Sequence, residues 1–202
     1  ERAQEQGIGH YFVPRYTRVV DTVDSKDDIN KAYSLISTSR VRNEMIIDDV
    51  KKSVAQKQTP VILTRFKEHA KLLYDALKNE ADHVFLLYGD NSDKENAEIR
   101  VKLKQIPKNE SLILVATGQK IGEGFDFPRL DVLMLAAPVS FEGRLEQYVG
   151  RLNRDYEGKD SVYVYDYIDA HVRFFNKMYG KRLKTYKRTG FSIWTGDVRS
   201  KQ

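Results

Sequence analysis

Five short, mostly apolar runs separated by stretches of helical period constrain this chain more than any other feature. They are Val61-Ile62-Leu63-Thr64, Val84-Phe85-Leu86-Leu87-Tyr88, Leu112-Ile113-Leu114-Val115-Ala116, Val132-Leu133-Met134-Leu135-Ala136 and Val162-Tyr163-Val164-Tyr165. Each has strand length, and strands that are apolar throughout are covered on both faces. Between the first two, Lys67 to Lys78 reads as an amphipathic helix carried by Ala70, Leu73 and Leu77. Gly89-Asp90-Asn91 ends the second strand, and a further helix runs from Asp93 to about Lys104. Alternation of this kind predicts an α/β fold, doubly wound, with a mainly parallel sheet and helices on both faces. Right-handed crossovers then bring the loops that follow the strands to one edge, where such sheets bind ligands.

The flanks are less regular. Residues 1–28 show no clear period and read as a linker arriving from an upstream domain. Within them His10-Tyr11-Phe12-Val13-Pro14 and Arg18-Val19-Val20 suit short extended pieces, and Asp24, Ser25, Asp27 and Asp28 suit a turn before a helix cap. From Ile29 to about Lys57 the pattern is helical, with Ile47, Val50 and Val54 as a stripe and Asp48, Asp49, Lys51 and Lys52 toward water. Residues 29–170 form the expected domain, and 171–202 a basic helical extension. In that extension Val172, Phe175 and Tyr179 make a stripe, while Arg173, Lys177, Lys181, Arg182, Lys184, Lys187 and Arg188 follow with no acidic residue between Asp169 and Asp197. Cations interleaved with Phe174, Phe175, Tyr179 and Tyr186 suit a phosphate backbone and its bases; a solvated helix that packs its aromatics on the domain fits equally. Gly190, Trp194 and Gly196 are expected in a fraying end.

Composition narrows the class. With 202 residues, 31% of them charged and 41% hydrophobic, the chain suits one soluble domain of about 150 residues with flanking segments. No apolar run approaches the roughly 18 residues of a membrane span. A start at Glu1 without a signal peptide reads as a fragment of something longer. Cysteine is absent, which excludes disulfides and cysteine-based zinc sites and fits a cytoplasmic location. The formal charge of +5 permits an anionic partner without demanding one.

Three stretches fall on the ligand-binding edge. Thr64-Arg65-Phe66 follows the first strand, and Ala116-Thr117-Gly118-Gln119-Lys120-Ile121-Gly122-Glu123-Gly124-Phe125-Asp126-Phe127-Pro128 follows the third. Ala137-Pro138-Val139-Ser140 leads from the fourth strand to Gln147-Tyr148-Val149-Gly150-Arg151-Leu152-Asn153-Arg154. Wound as a helix, that last stretch places Gln147, Arg151 and Arg154 within about 60° of one another, opposite Leu145, Val149 and Leu152. Gly150 lies beside the polar face, although glycine inside a helix costs roughly 1 kcal/mol against alanine. Two guanidiniums and an amide around an open spot suit phosphate oxygens; an amphipathic helix with solvated arginines fits the same residues. In the second stretch the glycines allow tight backbone, Thr117 offers a hydroxyl and an amide, and Asp126 suits a ribose hydroxyl or a neighbouring arginine. It lacks the G-x-G-x-x-G spacing of a dinucleotide site, and a plain glycine-rich turn also accounts for it.

Taken together, Val61 to Phe66, Ala116 to Pro128 and Gln147 to Arg154 resemble motifs IV, V and VI of superfamily 2 helicases and translocases. Leu87-Tyr88-Gly89 resembles the strand-end motif between IV and V. Order, spacing and strand context are those of the second RecA-like domain of such motors, a P-loop-NTPase-related domain without the P-loop. Residues 40–170 carry the resemblance. Gln147, where the DEAD-box RNA branch usually has histidine, places the chain nearer the restriction-enzyme and DNA-repair branch. The resemblance implies that Arg151 and Arg154 reach across a cleft to the phosphates of ATP, with Gln147 ordering that helix or touching the nucleotide. It places Gly124 and Asp126 near the ribose, and Thr117, Gly118, Thr64 and Arg65 along the nucleic-acid backbone; for Arg65 a plain surface role fits as well.

No G-x-x-x-x-G-K-[ST] loop and no acidic strand end of the magnesium-holding kind is present in the sequence. The resemblance puts both, and hence most contacts to ATP and Mg2+, on an upstream RecA-like domain of the same chain. The expected function is therefore the second motor domain of an ATP-dependent helicase, acting on DNA rather than RNA and inactive as an isolated fragment. A helicase-like module that clamps nucleic acid without hydrolysis, and an RNA helicase domain, are the alternatives. An enzyme of nucleotide sugars or dinucleotides on a related sheet lacks its phosphate loop.

Overall fold

The structure, a computed structural model, describes residues 7–121, 126–139, 146–150, 156, 158–194 and 196. Its elements in chain order are β1 (Gly9–Tyr16), α1 (Ile29–Ser37), α2 (Arg40–Ala55), β2 (Pro60–Thr64), α3 (Lys67–Leu77), β3 (His83–Leu87), α4 (Asp93–Gln105), β4 (Leu112–Thr117), α5 (Gly118–Ile121), β5 (Val132–Leu135), β6 (Ser161–Ile168), α6 (Arg173–Arg188) and β7 (Ser192–Ile193). The strands form one sheet in the order β3-β4-β2-β5-β6-β1-β7, and every pairing is parallel. The expected doubly wound α/β fold is therefore present.

Why both faces are apolar follows from the pleat, since successive side chains point to opposite sides. Val61, Leu63, Leu114, Ala116, Leu133, Leu135 and Val164 enter one core with Leu103 of α4 and Tyr186 of α6. Ile62, Ile113, Val115, Val132 and Met134 enter the other with Ile46 and Val50 of α2 and Ala70, Leu73 and Leu77 of α3. Side-chain caps start α1, α2 and α4 where the chain must turn. Asp28 accepts from the amides of Asn30 and Lys31, and Ser39 accepts from that of Arg42, splitting the long helical stretch into α1 and α2. Ser92 and Glu95 form a reciprocal capping box on α4.

Two strands lie outside the five apolar runs. Residues 9–16, within the segment read as a linker, pair with β6 from Gly9↔Ser161 to Tyr16↔Ile168, and β7 adds to their other side. Pro14 is tolerated because amides alternate along a parallel strand. Gly9 and Thr17 donate toward β6, whereas the Phe12 carbonyl faces β7 and accepts from Trp194 at 2.8 Å. Pro14 shares Phe12's side, beyond the last β7 pairing, where a missing N–H breaks no ladder bond. Trp194, expected in a fraying end, instead packs edge-on against Tyr11 and Tyr163. Asp49, expected toward water, is buried, accepting from Arg15 Nε and from the Tyr167 hydroxyl at 2.9 Å each.

Candidate functional site

The ends of β2, β4 and β5 are level. Thr64 pairs with Thr117 and Leu63 with Leu135, so the residues that follow share one edge. The connection leaving β2 runs to β3 on one side and that leaving β5 runs to β6 on the other, so the chain diverges between these neighbours. Divergence of this kind opens a crevice outside the strand ends. Thr64, Arg65, Thr117 and Gly118 all lie at that edge, as does the backbone of residues 136–139.

Thr64 is 3% exposed, and its hydroxyl lies 2.6 Å from Nδ1 of His69. The other ring nitrogen, Nε2, faces Oδ1 of Asn43 at 2.8 Å, while Asn43 Nδ2 donates to the Ser37 carbonyl. An amide oxygen only accepts, so Nε2 carries the proton, Nδ1 accepts, and the Thr64 hydroxyl donates. Burial first, and then the charge of Arg42, push the His69 pKa down to about 3, which keeps the ring neutral. The Thr64 side chain thus has no proton left for a phosphate and holds the end of β2 to α2 and α3. Arg65 is exposed, and its guanidinium lies 4.5 Å from the centre of the Tyr33 ring. Stacked in this way it retains donors for a ligand at the edge.

Residues 146–150 are helical. Tyr148 and Val149 are buried in the core shared with β2 and β4, whereas Gln147 and Gly150 are exposed. Val149 therefore faces inward as its spacing predicts. Among the described residues, no heavy atom lies within 4 Å of where a Cβ on Gly150 would stand. Gly118 is the opposite case: a Cβ there would stand 2.6 Å from the Tyr148 hydroxyl. The helical residues 146–150 thus seat a tyrosine on the glycine that follows β4, and the two stretches meet in one structure. Thr117 is buried and Asp126 exposed. Gly124, Arg151 and Arg154 lie outside the described residues.

Arg42 and Arg182 are buried, although arginines are mostly exposed. Arg42, fully buried in α2, donates from Nε and Nη2 to both carboxylate oxygens of Asp169 at 2.9 and 3.0 Å, and from Nη1 to the Ala136 carbonyl at 2.6 Å. Thr17 also donates to Asp169. Arg182, read as part of a basic nucleic-acid surface, is 2% exposed. Its Nε and Nη2 donate to both oxygens of Asp166 at 2.8 Å each, and its Nη1 to the Val139 carbonyl at 3.1 Å. Burial and the Asp166 carboxylate hold the Tyr186 phenol well above its ordinary pKa, so it donates to Asp166 at 2.7 Å. The signal for Arg182 is its phase. It lies seven residues after Phe175 and four before Tyr186, inside the apolar stripe of α6. Arg173, Lys177, Lys181, Lys184, Lys187 and Arg188 are exposed.

The opposite edge of the sheet is structural. Asp131, before β5, accepts from the Thr59 amide at 2.7 Å, and burial raises its pKa to about 6 against hydrogen bonding and the charges of Lys159 and Arg129. Lys159 donates to the carbonyls of Pro128 and Leu130, and Arg129 to those of Pro107 and Glu110. Among the described residues no group of three or more His, Cys, Asp or Glu could hold a metal ion, and no helix is long and apolar enough to cross a membrane.

Comparison with known proteins adds to this geometry. No family model matches the chain. It is 31% identical over 178 residues to the putative helicase 161L of Invertebrate iridescent virus 6, covering 83% of this chain and 38% of that protein. It is 25% identical over 127 residues to the transcript termination protein A18 of Myxoma virus, covering 61% of this chain and 26% of the relative. The chain therefore spans well under half of each. Among solved structures it superposes on T4 UvsW with a TM-score of 0.72 at 20% identity, over 93% of this chain and 41% of that one. The C-terminal domain of the DEAD-box protein Dbp5 superposes with a TM-score of 0.55 at 15% identity, over 94% of this chain and 91% of that one. At these identities the structural matches speak to the fold.

Proposed function

We propose that this chain, a C-terminal RecA-like domain of the superfamily 2 helicases, serves as the second motor domain of an ATP-dependent DNA helicase or translocase. The observation that carries the proposal is the seating of residues 146–150, with Tyr148 and Val149 buried while Gln147 and Gly150 face outward. Helical phase puts residues four and seven positions after Gln147 on its outward face, and the sequence has Arg151 and Arg154 there. Among the described residues nothing stands within 4 Å of a Cβ at Gly150, which suits the approach of a phosphate group to that face. In this role Arg151 and Arg154 neutralise charge that develops on the transferred phosphoryl group, and such fingers contribute about 10³–10⁵ in rate in other NTPases.

Gln147 orients the same face, while Gly124 and Asp126 lie toward the ribose. Magnesium and the β-phosphate are held by the upstream RecA-like domain, which supplies the loop and acidic residues this chain lacks. Arg65 and the backbone at Thr117 and Gly118 contribute to the nucleic-acid track, with Thr64 bracing the strand end from which Arg65 projects. Closure of the two domains on ATP and their reopening after hydrolysis then move the nucleic acid.

The Myxoma relative is a transcript termination protein, which favours a second reading in which the nucleic acid is a transcript. Stimulation of turnover by DNA against RNA separates the two. The test of the main proposal is Arg151→Ala and Arg154→Ala in the full-length protein. Each should lower nucleic-acid-stimulated ATP turnover by at least about 10²-fold with a smaller change in ATP binding, because a finger acts mainly on the transition state. Near-normal turnover in both would sink the assignment.

A further inference from the structure

β5 ends at Leu135, and the amides of Ala136 and Ala137 turn back to the Leu63 carbonyl at 2.8 and 3.4 Å. The carbonyls that follow therefore leave the ladder beside a core, where an unmatched acceptor is costly. Three buried side chains from three helices satisfy them. Arg42 of α2 donates to the Ala136 carbonyl, the Tyr33 hydroxyl of α1 to that of Pro138 at 2.9 Å, and Arg182 of α6 to that of Val139.

The two arginines use the same geometry. In each, Nε and Nη2 are committed to one buried carboxylate, Asp169 or Asp166, so the planar guanidinium leaves Nη1 aimed in a single direction. Lysine keeps the charge but cannot hold a carboxylate and a carbonyl in one rigid plane. Helix α6 meets the chain a second time beyond the connection, where Arg188 pairs with Glu146. Both arginine side chains are almost wholly shut off from solvent, and Nε, Nη1 and Nη2 of each are committed to protein acceptors.

We infer that Arg42, Tyr33 and Arg182 are positioning residues that clamp residues 136–139 and so fix the point from which the chain departs toward the helical residues 146–150. The clamp itself is independent of the proposed function, whereas its consequence for turnover rests on that reading. It gives the buried ion pairs a task other than stability: they help to seat residues 146–150, which in the sequence lead to Arg151 and Arg154.

Hydrogen–deuterium exchange on the 202-residue chain tests the clamp without reference to ATP. With Arg182→Lys the amides of residues 146–150 should exchange about tenfold faster, and with Tyr33→Phe about fivefold, as loss of a charged and a neutral hydrogen bond implies. Exchange in β2 and β4 should stay unchanged. Tyr33→Phe removes only one oxygen and keeps the proposal testable if Arg182→Lys does not fold. Unchanged exchange at 146–150, or a rise shared equally by β2 and β4, would overturn the inference. In the full-length protein, Arg182→Lys should lower kcat with little change in KM, and should add nothing further in an Arg151→Ala background. Additive losses would overturn the link to the fingers. A clamp seen in exchange beside an inert Arg151→Ala would instead retire the motor reading and leave the clamp standing.

Discussion

His69 ties the stability of the site to pH through a single proton. Its ring is neutral in the fold, with a pKa near 3 caused by burial and then by Arg42, against 6.5 when unfolded. Between those values the unfolded chain binds a proton that the folded chain refuses. Stability is therefore complete above about pH 6.5 and falls as the pH drops toward 3, by up to about 1.4 kcal/mol per pH unit. Asp131 acts in the opposite sense, because its pKa is raised from 3.8 to about 6 and its ionisation costs stability as the pH climbs through that window. The difference between wild type and His69→Gln isolates the histidine. Denaturation midpoints at pH 7, 6 and 5 should fall less steeply in His69→Gln, and identical slopes would contradict the buried, neutral ring. At this scale the sequence is least legible. Asp49 reads as a charge facing water and Arg182 as one of a basic set on the helix surface, while nothing singles out Arg42, because residue type carries the exposed expectation and only helical phase marks a charge set in an apolar stripe. Asp169 lies 127 residues from Arg42 and Tyr167 118 from Asp49, and even the 16 residues between Asp166 and Arg182 exceed any helical or strand spacing, so no local pattern announces the pairs.

Among the elements, β2 to β6 are legible because strands buried on both faces show themselves as apolar runs. β1 is harder, since His10, Tyr11, Pro14 and Arg15 mix polarity and its partner strand is more than 150 residues away. β7 is only Ser192–Ile193, held by β1, and its neighbourhood of Gly190 and Gly196 reads as a loose end. The structure also divides α6 into two populations of cations. Arg182 is part of the interior, so its replacement by alanine should destabilise the chain by roughly 3–5 kcal/mol through an uncompensated Asp166. Lys177, Lys181 and Lys184 are exposed on the same helix. If their face meets a phosphate backbone, replacing all three with alanine should leave the melting temperature nearly unchanged. It should also flatten the slope of log K for nucleic acid against log salt, by roughly 0.7–0.9 for each phosphate no longer neutralised. An unaltered slope would show that these lysines are merely solvated.

At the scale of the molecule, the arrangement is a wall with an edge. A parallel sheet, covered on both faces, brings Arg65, Thr117, Gly118 and the clamped segment 136–139 to the ends of its strands, with the 146–150 helix seated alongside. Among the described residues that edge offers positioned donors, and the sequence holds no G-x-x-x-x-G-K-[ST] loop to cradle a β-phosphate, whereas catalysis of phosphoryl transfer depends on such a cradle and its metal as much as on the arginines. The most direct measurement is therefore steady-state ATP hydrolysis by the 202-residue chain, alone and then within the full-length protein, where the proposal places an upstream RecA-like domain, with nucleic acid present. The chain alone should show no measurable turnover. The full-length protein should hydrolyse ATP at a rate in the usual range of about 1–10³ s⁻¹, and Arg151→Ala with Arg154→Ala should remove that gain. Turnover above about 1 s⁻¹ by the chain alone, or a gain that survives loss of both arginines, would contradict the account.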